Sequence, residues 1–515
     1  MGAEKRLYAD ITATHPEVTG SCLLVSVRYS DGRHTNFIVD CGLFQERAYN
    51  HLNGMGFPFK SENVSFALVT HNHADHIGRL PMLTKSGFTG KIYMPRPTAS
   101  LLPLAIGNSF AIMKEEYRRN SKKLLYNEED IYAVYNQEEP CKYEETIYID
   151  QNISITYFDN AHLIGAGMVL VQISEAGEED INILFTGDYK RTNMFKQVEN
   201  LPEWVYKKPI TIVTEATYGA TESSEIEVHF EQDVEKLISE GKSLLISATA
   251  QGRTQEVLYT LKKMQQEGKL DLGVQIGLDG KLAQKYTCMY RSSKLGIDPE
   301  KTDFLPRNFY WLTKNTREAF FANKKQKIIV CTSGMLDYGP AQMYLPAVIE
   351  KPNWVVYITC YCPETTLGYR LKNARDEKIQ INGKEFNIKA QIYWTEEYSA
   401  HAKADEIEGL IRDFENPVLV LLNHGEKEVA KKFALRLEEH NVAHRVELLG
   451  EYTNRVVHQG CAKIFSSKLH VEPSTEGTRH SNVSKSSKGG KSRHSKYGGK
   501  RAYKSDKGKY RRRKA

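Results

Sequence analysis

The sequence predicts a mixed α/β protein assembled from two differently built parts and a basic tail, and three observations carry that expectation. Residues 7 to about 60 hold short β-type runs broken by turn-forming residues, and the first half reads as sheet. From about residue 220 the pattern lengthens to alternating helix and strand, as parallel strands joined by helical crossovers require. Beyond about Ser466 the composition collapses to Ser, Gly, Lys, Arg, His and Tyr, which cannot bury enough apolar surface to offset chain entropy. A disordered tail over 466–515 is therefore expected.

In chain order, residues 21–27 and 36–40 read as strands, separated by the turn residues Asp31-Gly32 and closed by Cys41-Gly42. The apolar run 64–69 follows. A charged, helix-like stretch covers 110–135, and further strands fall at 153–158, 168–173 and 181–185. An amphipathic run, 225–238, precedes a buried strand at 243–247, a helix at 255–266 and two more strands at 327–331 and 354–358. From about 385 the earlier style returns, as strand, helix, strand, helix and strand ending near Leu449. No internal repeat is present. At 515 residues the chain has room for about three domains and a sizeable core.

Composition excludes several classes. With 40% hydrophobic and 26% charged residues the chain is neither fibrous nor wholly disordered. The first six residues lack the apolar centre of a signal peptide, and no apolar run approaches the ~18 residues that cross a bilayer, so a cytoplasmic protein is expected. Eight cysteines are scattered without a CxxC pair, as befits reduced thiols filling cores. Cys360-Tyr361-Cys362 lacks nearby partner ligands for a metal. Residues 477–515 carry fifteen Lys and Arg against one acid, Asp506; that local +14 leaves the rest of the chain at −8 of the overall +6.

The chemistry concentrates in Thr70-His71-Asn72-His73-Ala74-Asp75-His76, three imidazoles and a carboxylate within six residues directly after the apolar run. A tight loop at a strand's C-terminal edge lets such side chains converge on one point. His71 and His73 would face one ion, with Asp75 and His76 reaching a neighbour. Two ions then need a bridging carboxylate and further imidazoles. His162, Asp188 and His424 each follow an apolar strand, and Asp40 ends another, where it could orient a water or a ligand from behind.

The motif His71 to His76, with Asp40, His162 and Asp188 in that order and context, resembles the metallo-β-lactamase fold, whose hydrolases bind two zinc ions through it. Three later motifs narrow the resemblance to the β-CASP nucleases, the group containing the pre-mRNA 3′-end cleavage factor and bacterial RNase J. Glu215 in Thr214-Glu215-Ala216-Thr217-Tyr218-Gly219 is similar to their acidic motif. His401 in Ser399-Ala400-His401 and His424 in Asn423-His424-Gly425-Glu426 are similar to their histidine motifs. Ala250-Gln251-Gly252-Arg253-Thr254-Gln255-Glu256, Ser333-Gly334-Met335 and Glu364-Thr365-Thr366-Leu367-Gly368 match as well, so the likeness spans about residues 8 to 455. Two departures stand out: Thr365-Thr366 where Gly-Thr is commoner, and Ala216 where Ser is usual.

The resemblance implies an αββα metallo-β-lactamase sandwich over 1–208 and 385–465, split by a parallel-sheet β-CASP domain at 209–384. It implies one zinc held by His71, His73 and His162, a second by Asp75, His76 and His424, and Asp188 bridging them, with manganese as the alternative ion. Two ions ~3.5–4 Å apart clamp a phosphodiester and lower the pKa of a shared water toward about 7. Asp40 and Asp75 join Glu215 and His401 as the catalytic set, with His401 paired to Glu215 and giving a proton to the leaving ribose oxygen.

Arg253, which follows a strand and opens a helix, reads as a phosphate contact, with Ser333 and Ser399 as weaker ones. In the tail, Tyr497, Tyr503 and Tyr510 lie among Lys and Arg, a pattern that offers stacking beside phosphate contact.

The implied partners are single-stranded RNA, with 477–515 as its tether, and a second copy of the chain in a homodimer. RNA is favoured over DNA because the DNA-processing branch usually has Val where this chain has His424. The alternatives are a DNA nuclease of the same fold and a catalytically silent RNA-binding subunit, which would be expected to lack some ligands. A small-molecule thioester or lactam hydrolase is disfavoured by the large insertion.

Overall fold

Two seven-stranded sheets lie face to face because most of their strands are apolar on both sides. The computed structural model describes residues 6–15, 18–46, 49–120, 123–374, 378–450 and 454–456. The first sheet runs Asn454–Val456, Tyr8–Ala13, Leu23–Arg28, His34–Val39, Phe66–Leu68, Lys91–Pro95, Glu138–Cys141. The second runs Val446–Leu448, Asn416–Asn423, Pro209–Glu215, Ile181–Phe185, Gly167–Ile173, Ile153–Asp159, Thr146–Tyr148.

Val25, Phe37 and Leu68 of the first sheet share one buried cluster with Ile155, Val171, Ile183 and Val213 of the second. Successive strand residues point to opposite faces. Accordingly Ile38 and Ala67 pack with Leu80, Leu102 and Ile131 on the far side of the first sheet. Leu184 and Ile212 pack with Ile407, Leu410 and Phe433 on the far side of the second. Three stacked clusters make four layers, helix, sheet, sheet and helix.

The charged stretch expected as one helix over 110–135 is two, Arg96–Asn120 and Glu128–Gln137. Asn127 starts the second by a capping box: its side chain accepts from the Asp130 amide, and the Asp130 carboxylate accepts from the Asn127 amide.

A third sheet of six strands is parallel throughout, in the order Phe309–Leu312, Gln275–Asp279, Lys327–Cys331, Ser243–Ser247, Trp354–Ile358, Gln391–Trp394. Leu244 and Ile246 bury on one face and Leu245 on the other, so both faces are covered, as parallel sheets require. Sequence reading missed Gln275–Asp279 and Phe309–Leu312. The first alternates Gln, Gly and Asp with its apolar residues, and the second is an edge strand with Tyr310 and Trp311 exposed.

Strand pairing moves both boundaries expected for the inserted part. Pro209–Glu215 pairs with Ile181–Phe185 and Asn416–Asn423, so it lies in the sandwich and not in the insertion. Gln391–Trp394 pairs with Trp354–Ile358 and belongs to the inserted sheet. Composition could not reveal either, since pairing partners are set by contacts far apart in the chain. The expected tail, 466–515, lies outside the described residues.

Among the described cysteines six are buried, as expected of core fillers, but Cys288 is exposed on the helix Lys281–Tyr290. No helix of the described residues is long and apolar enough to cross a membrane.

Candidate metal centre

The His-rich loop is pinned by backbone before any side chain acts. The chain leaves the strand Phe66–Leu68 and turns at His73 into the four-residue helix Ala74–Ile77. The Ser21 amide donates to the Asp75 carbonyl at 2.9 Å and the Cys41 amide to the His76 carbonyl at 2.6 Å. A side chain at Gly42 would place its Cβ 1.5 Å from the Asp75 carbonyl oxygen, so only glycine permits this approach.

Asp188 stands at the middle of the imidazoles. Its Oδ2 lies 3.6 Å from His71 Nε2, 3.4 Å from His76 Nε2 and 3.5 Å from His162 Nε2, and its Oδ1 lies 3.3 Å from His424 Nδ1. His162 Nε2 is 3.3 Å from His73 Nδ1, and His424 Nε2 is 3.8 Å from Asp75 Oδ2.

Two donors each ~2.0–2.1 Å from a tetrahedral ion sit ~3.4 Å apart, the spacing seen here. His71 Nε2, His76 Nε2, His424 Nε2 and Asp188 Oδ1 are moreover buried with no hydrogen-bond partner. Buried polar atoms left unpaired are costly unless a ligand satisfies them. The donors resolve into His71, His73, His162 and Asp188, and into Asp75, His76 and His424, each set within 4.8 Å. The residues fit divalent-metal binding, and Asp188, His401 and His424 form a third such group.

For three of the histidines electrostatics agree with ligand duty. Burial drives His71 and His162 well below the ordinary imidazole value and His73 down to about 4, which leaves them neutral with lone pairs free. His76 moves the other way: burial opposes its charge, but Asp188 and Asp40 together outweigh it.

Asp40 contacts both the His-rich loop and His76. Its backbone takes the left-handed φ of 61°, which aims Oδ1 at the Thr70 amide, 2.8 Å, and Oδ2 at the Thr70 hydroxyl, 2.9 Å, and His76 Nδ1, 2.8 Å. Its carboxylate thus meets His76 at Nδ1, the ring nitrogen opposite the one that faces Asp188. His162 is oriented likewise, its Nδ1 2.9 Å from the Ala400 carbonyl. Asp40→Ala is expected to weaken metal affinity by roughly 10–100-fold; competition with a calibrated chelator measures this, and unchanged affinity would refute the orienting role.

Glu215 ends the strand Pro209–Glu215 with its side chain fully enclosed. Its Oε1 accepts from the Tyr189 amide at 2.6 Å and its Oε2 meets His401 Nδ1 at 2.8 Å. Burial opposes charge on His401, yet Glu215 and Asp188 outweigh it and raise its pKa above the ordinary value. His401 Nδ1 lies 4.0 Å from Asp188 Oδ2, beside the donor cluster.

Family models match three stretches of the chain: metallo-beta-lactamase superfamily over 16–140, Beta-Casp domain over 254–371, and Zn-dependent metallo-hydrolase RNA specificity domain over 385–447. The chain belongs to the β-CASP family of metallo-β-lactamase nucleases. It is a hydrolase of that class. It is 27% identical to ribonuclease TTHA0252 of Thermus thermophilus over 83% of this chain and 96% of that one. It is 26% identical to transcription termination factor FttA of Methanosarcina mazei, over 81% of this chain and 67% of that protein. With endoribonuclease ysh1 of Schizosaccharomyces pombe it shares 27% identity over 74% of this chain and 50% of the relative.

In this β-CASP chain Arg253 opens the helix Arg253–Gln266, its Nε donating to the Tyr398 carbonyl at 3.0 Å and its charge acting on His401. The two serines expected as phosphate contacts are engaged within their own loops. Ser333 Oγ accepts from the Tyr338 amide at 3.2 Å, and Ser399 Oγ accepts from the His401 amide at 3.4 Å. At the departures from the family pattern, Ala216 packs beside Gly425 and Thr366 caps the helix Leu367–Lys372.

Two contributors escaped the sequence reading. Asn72 and Gln251 exchange amide bonds at 2.8 and 3.1 Å, tying the His-rich loop to the inserted domain. Both lie inside quoted motifs, but nothing in either motif announces the pairing.

The other is Lys403, whose ammonium is buried without a hydrogen-bond partner, 3.2 Å over the Tyr218 ring. Burial lowers its pKa from 10.5 to about 8. A base with a depressed folded-state pKa destabilises most where it is charged in both states, below about 8, and the penalty fades as pH rises toward 10.5. Lys403→Met should therefore raise stability by about 1–2 kcal/mol at neutral pH once the ring's attraction is set against the shift. The gain over the parent should shrink between pH 8 and 10.5. Thermal melts across that range test it, and a pH-independent gain would remove the titration account.

Proposed function

We propose that the chain is a zinc-dependent ribonuclease that hydrolyses phosphodiester bonds of single-stranded RNA, in RNA processing or decay. The observation that carries this reading is the seven-donor cluster around Asp188 with the Glu215–His401 pair beside it. His71, His73 and His162 would hold one zinc, Asp75, His76 and His424 the other, with Asp188 shared. Two such ions clamp a phosphodiester and bring the pKa of a shared water toward about 7.

The chain's own residues do the rest. Glu215, steadied by the Tyr189 amide, holds His401 by Nδ1 and leaves Nε2 to hand a proton to the departing ribose oxygen. Arg253 supplies positive charge beside His401 for an adjoining phosphate. Asp40 keeps His76 in register. RNA is preferred to DNA on the presence of His424, in keeping with the ribonuclease and endoribonuclease among the relatives.

The deciding experiment incubates purified, metal-analysed protein with RNAs labelled at either end, in 5′-triphosphate and 5′-monophosphate forms, beside DNA of the same sequence. DNA cut at least as fast would overturn the RNA assignment. No cleavage by zinc-loaded protein would favour a silent binding subunit.

Residues 477–515 complete the proposal as an RNA tether, since fifteen cations there would release counterions on binding. Their removal should weaken RNA binding by a factor that shrinks as salt rises, with turnover of bound RNA preserved. An unchanged affinity at low salt would reject the tether.

A further inference from the structure

One aromatic side chain stands open beside the metal centre. Tyr361 follows the strand Trp354–Ile358 at the C-terminal edge of the parallel sheet, where such sheets open a crevice for ligands. It is 48% exposed. Its ring meets Tyr218 edge-on, centroids 6.5 Å apart at 80°, and its hydroxyl reaches Glu426 Oε1 at 3.4 Å. Tyr218 lies three residues past Glu215, and Glu426 two past His424. Tyr361 thus comes from a loop of the inserted domain yet contacts residues on both sandwich loops that end at the centre. The Tyr218 ring lies 6.3 Å from His401. His401, Tyr218 and Tyr361 form a line of rings leading outward from the reacting groups.

We propose that Tyr361 is the platform on which the unpaired base of a nucleotide close to the scissile phosphodiester stacks, with Tyr218 as its supporting wall. The proposal rests on the ribonuclease reading and adds the subsite that selects a single strand. A base inside a duplex has both faces covered by its neighbours, so only an unpaired one can lay a face on the ring. Every base has a π-face, so the subsite tolerates sequence. The contacts to Tyr218 and Glu426 hold the ring in place before substrate arrives, which reduces the ordering lost on binding. Arg253, beside His401, would meet a backbone phosphate of the same strand.

The test uses the full chain as wild type, Tyr361→Phe and Tyr361→Ala, with single-stranded RNAs carrying 2-aminopurine or an abasic site at successive positions on either side of the cleavage point. One position should lose 2-aminopurine fluorescence on binding to wild type and Tyr361→Phe but not to Tyr361→Ala. Tyr361→Ala should raise KM about tenfold, the loss falling mainly in KM rather than kcat. An abasic site at that position should weaken wild type by a similar factor and leave Tyr361→Ala unaffected. Metal content and melting temperature of the variants confirm an intact centre.

Equal quenching in wild type and Tyr361→Ala, or an abasic penalty that persists in Tyr361→Ala, would overturn the platform while leaving the ribonuclease reading standing. If wild type cuts no RNA, that reading fails instead, and quenching of the bound oligonucleotide still decides whether Tyr361 stacks a base.

Discussion

Asp188→Ala is expected to lose RNA cleavage by on the order of a thousandfold or more, together with most of its bound metal. The reason is positional. One carboxylate lies between both donor sets, with three imidazole Nε2 atoms at 3.4 to 3.6 Å from Oδ2 and His424 at 3.3 Å from Oδ1. Its own pKa is held far below the carboxylate range: burial works against the charge, but the surrounding histidines, His424 first, outweigh it. Without it, four buried imidazoles would face one another with no anion between them, and both proposed donor sets would be incomplete. Metal analysis by mass spectrometry, read beside the cleavage rate, checks this. A variant with the full metal complement and unimpaired turnover would show that Asp188 is not the shared ligand.

His401→Ala should reduce cleavage by roughly 10²–10⁴-fold, the usual worth of a positioned proton donor, while metal content and RNA affinity stay near the parent values. Its Nδ1 is committed to Glu215 at 2.8 Å, which suits a proton donor more than a ligand. The geometry also brings it within a donor group with Asp188 and His424, so the ligand reading is a real competitor. Loss of bound metal in His401→Ala would establish that competitor. Glu215→Gln separates positioning from charge: it keeps an oxygen for the Tyr189 amide but removes the carboxylate that orients His401, and should fall between the parent and His401→Ala in rate.

Much of the candidate centre was legible because its first candidate ligands are neighbours in sequence. His71, His73, Asp75 and His76 share one loop, and a strand entering a tight turn leaves such side chains few directions in which to point. His162, Asp188 and His424 were legible only as polar residues at strand ends. Their meeting depends on strands far apart in the chain lying side by side, as Pro209–Glu215 does with Asn416–Asn423. The pairing of Pro209–Glu215 and Gln391–Trp394, near the expected domain limits, was hidden for the same reason, since both carry ordinary apolar patterns whose partners cannot be read locally. Lys403 escaped because a lysine at a helix start looks solvated in sequence, and only packing against Tyr218 buries it.

By itself the sequence determined the candidate ligand set, most of the run of strands and helices, and the composition of a body and a basic tail, because all three follow from residue type and short-range periodicity. The tertiary structure alone decided which strands pair, that Asp40 meets His76, that Asn72 meets Gln251, and that Tyr361 stands beside Tyr218. The three side-chain contacts join residues 36, 179 and 143 positions apart, and they form only when apolar faces distant in the chain are buried together.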